Sequence, residues 1–257
     1  MAKDFELKYY NQMDVWKNYD NNIGEIARAR KTICLIPEDV KTILDIGCGN
    51  GIVTNMIDAP FVVGLDFAKI PLSQVKSNPI QASIDALPIK NRKFDLVILT
   101  EVLEHLDEEI YNKAIKELKR LDAKYYLITV PYNESVSLQL CKCSVCGNTF
   151  NPSHHYRKFD DSWFNKEFEG YSLKRHEYIS YRCSPDENIM KLRHRFGIYE
   201  YSDYCICNKC GNRALRPKTS LIRYILSVLN IIDYSLKEMQ NKREPYHQVI
   251  LLKRKKV

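Results

Sequence analysis

The chain has no run of uncharged apolar residues approaching the roughly 18 that a membrane-spanning helix needs. Nor does it open on a charged start followed by an apolar stretch, so no secretory signal is expected. These absences make the cytoplasm the expected compartment. In that setting the nine cysteines point to metal before disulfides. No RNA-binding module is recognisable, and the basic residues are scattered. The net charge of +7 is partly the tail Lys253-Arg254-Lys255-Lys256, read as a solvated end with attraction to phosphate as its sharper alternative. At 257 residues with 28% charged side chains, the chain is expected to be globular, as one large domain or a domain with an insert.

A further absence lies in the most informative segment, Leu44-Asp45-Ile46-Gly47-Cys48-Gly49-Asn50-Gly51. It reads as strand, glycine turn and helix, and such a turn lets a ligand approach backbone N–H groups with no Cβ in the way. The spacing is G-x-G-x-G and lacks the G-x-G-x-x-G of dinucleotide sites, which argues against a nicotinamide-dependent oxidoreductase.

Strand and helix signals then alternate. Thr42–Ile46, Phe61–Asp66, Phe94–Leu99 and Tyr125–Val130 read as strands, Ile52–Ile57 as the start of a helix, and Glu108–Leu121 as an amphipathic helix. The pattern predicts a parallel sheet covered by helices. Asp66 follows the turn by one βαβ step and can accept both hydroxyls of a ribose, with a helix-cap aspartate as the plain alternative. Asp85-Ala86-Leu87-Pro88 comes after the next segment. Phe94-Asp95-Leu96-Val97 and Glu101-Val102-Leu103-Glu104-His105-Leu106 follow.

In this order the motifs resemble those of class I S-adenosylmethionine (SAM)-dependent methyltransferases, of the branch acting on small molecules, over residues 41 to about 135. The resemblance implies an α/β Rossmann-like fold with a mostly parallel seven-stranded sheet and helices on both faces. It implies that Asp45 orients the glycine loop, that Gly47 and Gly49 approach the aminoacyl part of SAM, and that Asp85 and Ala86 cup the adenine. Cys48, Phe67 and Glu101 would complete the pocket. The aromatic N-terminal segment (Phe5, Tyr9, Tyr10, Trp16, Tyr19) is expected to lie over it, with Tyr10 or Trp16 touching a ligand or simply packing.

Cysteines form a second pattern. Cys141-Lys142-Cys143-Ser144-Val145-Cys146-Gly147-Asn148 recurs as Cys205-Ile206-Cys207-Asn208-Lys209-Cys210-Gly211-Asn212. Each copy holds C-x-x-C-G, a zinc-knuckle form. Cys143, Cys146, Cys207 and Cys210 are the expected ligands of a structural zinc, clipping a long insert. Cys141 and Cys205 are expected to pack beside it, with an iron–sulfur cluster as the rival. Cys34, Cys48 and Cys183 read as small core or loop residues.

Glu101, Glu104 and His105, joined by His154-His155, make a third. A similar E-x-x-E-H run binds a divalent ion in small-RNA 2′-O-methyltransferases, but relatives without metal carry it too. The reading that needs no metal takes His155 or His105 as general base.

Asp160–Gly170 is expected to be helical. Tyr171–Tyr181 and Tyr246–Lys253 are expected to be the last two strands, separated by the second knuckle and a helix over Ser220–Met239. The apolar stripe of that helix, within residues 221–236, reads as core or interface packing. A homodimer face and shallow membrane attachment are the other readings. The expected organisation is an N-terminal helical cap (1–40), a SAM-binding core (41–140), knuckle insertions with the sixth strand (141–219), and a closing helix and edge strand (220–257). The expected function is methyl transfer from SAM to a hydroxyl of a small polar acceptor, a sugar or nucleotide-sugar. A metal-dependent RNA 2′-O-methyltransferase and a catalytically silent zinc-bearing interaction protein are the alternatives.

Overall fold

The structure is a computed structural model and describes residues 2–16, 22–199, 205–212 and 221–255. Tyr19, Ser220 and Lys256 lie outside the described residues. Three helices open the chain: α1 (Ala2–Tyr10), α2 (Met13–Trp16) and α3 (Ile23–Ile33). Then come β1 (Thr42–Ile46), β2 (Phe61–Asp66), α4 (Lys69–Leu72), β3 (Pro79–Gln81), β4 (Leu96–Thr100), α5 (Glu108–Leu121) and β5 (Tyr125–Pro131). The C-terminal part holds β6 (Cys141–Lys142), β7 (Thr149–Phe150), α6 (Trp163–Glu167), β8 (Tyr171–Arg182), α7 (Glu187–Arg195), α8 (Leu221–Met239) and β9 (Glu244–Arg254).

Seven strands form one sheet in the order β3-β2-β1-β4-β5-β9-β8; β6 and β7 pair separately. The pairs from β3 to β5 are parallel, whereas β9 runs antiparallel to both β5 and β8. This is the mostly parallel Rossmann-like sheet that the motifs imply. All seven residues of β5 are buried, as a strand covered on both faces must be. Alternate residues serve opposite faces. Leu44, Val97 and Ile128 pack with α5 and α6, while Ile43, Ile98 and Leu127 pack with Leu35 and Ile36 at the end of α3.

Helix α5 obeys its sequence closely. Asp107 accepts the Ile110 N–H at 2.9 Å, Glu108 and Glu109 occupy the first turn, Lys119 and Arg120 the last, and Asp122 ends it in the left-handed region at φ 48°. Three expectations need correction. The helix after the glycine turn is a single 3-10 turn, Thr54–Met56, because Pro60 and the start of β2 follow too soon for more. Helical residues in the Asp160–Gly170 segment are confined to Trp163–Glu167, since Asp160 spends its carboxylate on a turn to Ser162. The third concerns α8: of its apolar residues only Leu226 is buried, and core packing does not account for the stripe. Among the described residues no helix is long and apolar enough to cross a membrane.

Leu127 has no accessible surface and sits in the middle of the sheet. Leu127→Ala is expected to destabilise the fold by about 2–5 kcal/mol, read from the shift of the urea unfolding midpoint at constant slope.

Candidate active site and metal-binding clusters

Strand order reverses between β1 and β4, and an open α/β sheet presents a crevice at the carboxyl ends of the strands at such a point. The glycine turn lies there. The Gly47 N–H donates to the carbonyl of Leu65 at 2.7 Å, and the Gly49 N–H to Asp66 Oδ2 at 2.9 Å, so the turn is stapled to the end of β2. Gly47 and Gly49 adopt φ of 71° and 54°, where L side chains are strained. A Cβ on Gly47 would stand 2.5 Å from Val102 Cγ2, and one on Gly49 2.5 Å from the Trp16 ring. Trp16 is fixed by its indole N–H donating to the Tyr10 carbonyl at 2.7 Å. The rings of Tyr10 and Phe67 meet edge to face at 5.8 Å.

These residues, with Glu6, Asp66, Thr100, Glu101 and His105, line a cavity roofed by the N-terminal helices. Asp45 lies fully buried beneath the turn, and its Oδ2 accepts the Thr54 hydroxyl at 2.6 Å. Burial raises its carboxyl to about 7 despite that bond, with the Asp66 charge adding to the rise. Burial likewise raises Asp66, against the backbone N–H groups of Ala68 and Gly49 that it accepts. Cys48 borders the cavity with its thiol buried. Of the segment around Asp85 and Ala86, Ser83 and Ile84 line the cavity, whereas Asp85 and Ala86 are not among its lining residues. Asp85 is bonded by the Ser83 hydroxyl, and the Ala86 N–H donates to the Ser83 carbonyl at 3.1 Å.

The acidic residues after β4 separate into two environments. Glu101 takes a left-handed backbone at φ 55°, a strained placement for a non-glycine residue. Its carboxylate meets Arg28 Nη1 at 3.1 Å, His247 Nε2 at 3.0 Å and the Thr129 hydroxyl at 2.9 Å. Burial alone would raise Glu101; His247 and Arg28 outweigh it and hold the carboxylate well below the usual range. Sequence reasoning missed Arg28 and His247. They lie on α3 and β9, more than 200 residues apart in the chain, and no local pattern marks either.

Glu104 lies close to Glu101 but in a different setting. It is fully buried and neither oxygen has a hydrogen-bond partner. Burial first, and the Glu101 charge second, push its carboxyl far above the ordinary value. One oxygen of Glu104 and one ring nitrogen each of His105 and His155 lie within 4.8 Å of one another. His105 Nδ1 also lacks a partner, and burial followed by the neighbouring His155 keeps that ring neutral. His155 Nδ1 pairs with the buried Glu134, leaving Nε2 for the cluster. A divalent ion fits this donor set: three converging ligand atoms, a buried carboxylate without a donor, and a second carboxylate fixing the histidine tautomer. The structure thus unites Glu104, His105 and His155 and leaves Glu101 and His154 outside. His154 packs instead between Phe5 and Phe150, ring centroids 4.7 and 5.7 Å away.

The cysteine repeats converge as well. Cys143 Sγ is 3.6 Å from Cys210 Sγ, and Cys146 Sγ 3.5 Å from Cys207 Sγ. Tetrahedral zinc with 2.3 Å bonds holds its sulfurs about 3.8 Å apart, so the four thiols suit that ion. The two turns have matching geometry: Gly147 and Gly211 at φ 71° and 72°, donating to the carbonyls of Cys143 and Cys207 at 3.0 and 2.8 Å. Cys141 and Cys205 are buried beside this set, with Phe150, and are not part of it.

The burial of His154 makes stability depend on pH. Burial, with His155 second, lowers it from 6.5 to about 4, and both ring nitrogens are unpartnered. A depressed histidine contributes its full stability above the unfolded value and loses it as pH falls from 6.5 towards 4. About 3 kcal/mol is at stake in that window. His154→Phe is expected to remove that loss, so that the unfolding free energy at pH 5 relative to pH 7.5 is higher in the variant than in the wild type.

Residues 44–123 match the methyltransferase domain family. An uncharacterised protein of Methanocaldococcus jannaschii is 38% identical over 95 residues, covering 36% of this chain and 41% of its own. A ubiquinone biosynthesis O-methyltransferase of Bartonella quintana is 27% identical over 117 residues, 41% of this chain and 47% of that protein. The chain therefore spans less than half the length of these curated relatives. The crystal structure of a SAM dependent methyltransferase from Archaeoglobus fulgidus superposes with a TM-score of 0.51 at 15% identity, covering 95% of this chain and all of that one. The chain matches a methyltransferase domain over residues 44–123 and has the mixed α/β, Rossmann-like fold of the class I methyltransferases.

Proposed function

We propose that this chain is a SAM-dependent methyltransferase that transfers the methyl group to a hydroxyl of a small polar acceptor, a sugar or nucleotide-sugar. The observation that carries the reading is the glycine turn stapled to Asp66 at the mouth of a cavity roofed by Trp16 and Tyr10. Gly47 and Gly49 leave backbone where the aminoacyl group of SAM would lie, and Asp66 sits where a ribose would be gripped. SAM, when bound, supplies an activated methyl group. The protein's own task is then to exclude water, orient the acceptor and take a proton. His105 is on the cavity wall with its Nδ1 unpartnered, so an acceptor hydroxyl placed against it can hand over its proton there. Glu101, tied to Arg28 and His247, acts as a fixed charge rather than as a base.

The orphaned Glu104 carboxylate favours a second reading, in which Glu104, His105 and His155 hold a divalent ion that acidifies the acceptor hydroxyl. It brings an RNA ribose hydroxyl into range as acceptor, with binding that weakens steeply as salt is added. In both readings a structural zinc on Cys143, Cys146, Cys207 and Cys210 clips together the two insertions beside the site.

Calorimetry with SAM and S-adenosylhomocysteine, on protein of determined metal content, tests the reading. Micromolar binding and one zinc per chain are expected; no binding of either ligand sinks the enzyme assignment. Gly49→Ala should drive Trp16 out of place and weaken S-adenosylhomocysteine at least about tenfold while the melting temperature stays within a few degrees. Glu104→Gln separates the two readings. Loss of manganese binding and of methyl transfer, with S-adenosylhomocysteine affinity kept, selects the metal; retained transfer selects the metal-free base.

A further inference from the structure

Helix α8 is inside out. A surface helix ordinarily turns its apolar stripe to the core and its polar face to water. Here the polar face turns inward. Lys237 Nζ donates to the Ser184 carbonyl at 3.0 Å and pairs with Asp233 at 2.8 Å, while Glu238 accepts the Cys183 thiol at 3.3 Å. Arg223, Leu226, Asn230, Asp233 and Lys237 recur at three- and four-residue intervals, and Leu226 is the one buried apolar side chain of the helix. The opposite face carries Leu221, Ile225, Val228, Ile232, Ser235 and Met239 in alternating steps of four and three, a 3.5-residue seam. Leu221 is 74% and Met239 83% exposed, and Ile222, Leu229, Ile231 and Leu236 widen the strip.

Together the exposed apolar side chains of this face leave open on the order of 1,000 Å², beyond the 300–600 Å² of the largest patch on an ordinary monomer. About 800 Å² per partner is the share of a standard stable interface. We propose that this face is the interface of a homodimer, with α8 pairing against α8 of a second copy across a two-fold axis. The seam is self-complementary, as an isologous contact requires, and its 3.5-residue repeat suits packing at a shallow crossing angle. Charge favours a second copy over a lipid surface. An interfacial helix flanks its apolar face with lysine and arginine directed at anionic headgroups. The cations of α8, Arg223 and Lys237, lie on the inward side, and the seam and the residues that widen it carry no charge. Just beyond α8, Arg243 is paired with Glu238 at 2.7 Å and Lys242 lies in the turn to β9, while Lys253 and Arg254 stand at the far end of that strand.

Sedimentation of the full chain at micromolar concentration is expected to give twice the chain mass. Ile225→Glu with Ile232→Glu, both on the exposed face, should give a single chain mass with unchanged circular dichroism, whereas Ile225→Leu with Ile232→Leu should remain dimeric. A wild-type monomer overturns the proposal, as does a dimer that survives the glutamate pair. Flotation of a wild-type monomer with phosphatidylcholine–phosphatidylglycerol vesicles would assign the face to lipid instead. Should the glutamate pair unfold, Ile232→Ser alone is expected to weaken the dimer at least about tenfold, and an unchanged dimer affinity in that variant overturns the proposal.

Discussion

Two hydrogen bonds anchor the turn on which the site is built: the Gly47 N–H to the Leu65 carbonyl and the Gly49 N–H to the Asp66 carboxylate. They lock a turn whose positive φ and crowding at the Cβ positions call for glycine against the end of the neighbouring strand. The sheet supplies the rigidity, since β1 is hydrogen-bonded to β2 on one side and β4 on the other. Once the turn is fixed, Val102 and Trp16 can close on it to distances that no Cβ would permit. A cavity with backbone on its floor and aromatic rings on its roof follows from that closeness.

The polar residues around the cavity divide the electrostatic work. Glu101 is an acid whose carboxylate is favoured by an arginine and a histidine from distant elements, at 3.1 and 3.0 Å. Glu104, three residues on, is an acid deprived of water and of donors. The two carboxylates, so close in sequence, are thus pushed in opposite directions, Glu101 down by His247 and Arg28 against its burial, Glu104 up by burial and by the Glu101 charge. The left-handed backbone at Glu101 accompanies this division, as the chain leaves β4.

Much of this was legible in the chain. The five central strands and α5 follow from apolar runs and caps that act within a few residues. The glycine turn and the acid at the end of β2 announce themselves by spacing. The knuckle cysteines do so by repetition, and tertiary structure merely brings the copies together. The helical patterning after the glycine turn and before β8 is overridden by short connections and by the Asp160 turn. The aromatic N-terminal segment was expected over the site, and Trp16 does lie against Gly49.

Local sequence by itself determined the elements, the turn and the ligand spacing of each knuckle, because these depend on interactions between residues close in the chain. Tertiary structure alone decided which acid met Arg28 and His247 and which was left bare. It decided that His155 and not His154 joined His105, that Ser83 rather than Asp85 faced the cavity, and that α8 turned its apolar face outward. Those outcomes rest on distances between residues tens to hundreds of positions apart, and on which competing burial the whole chain satisfies best. No spacing rule encodes either.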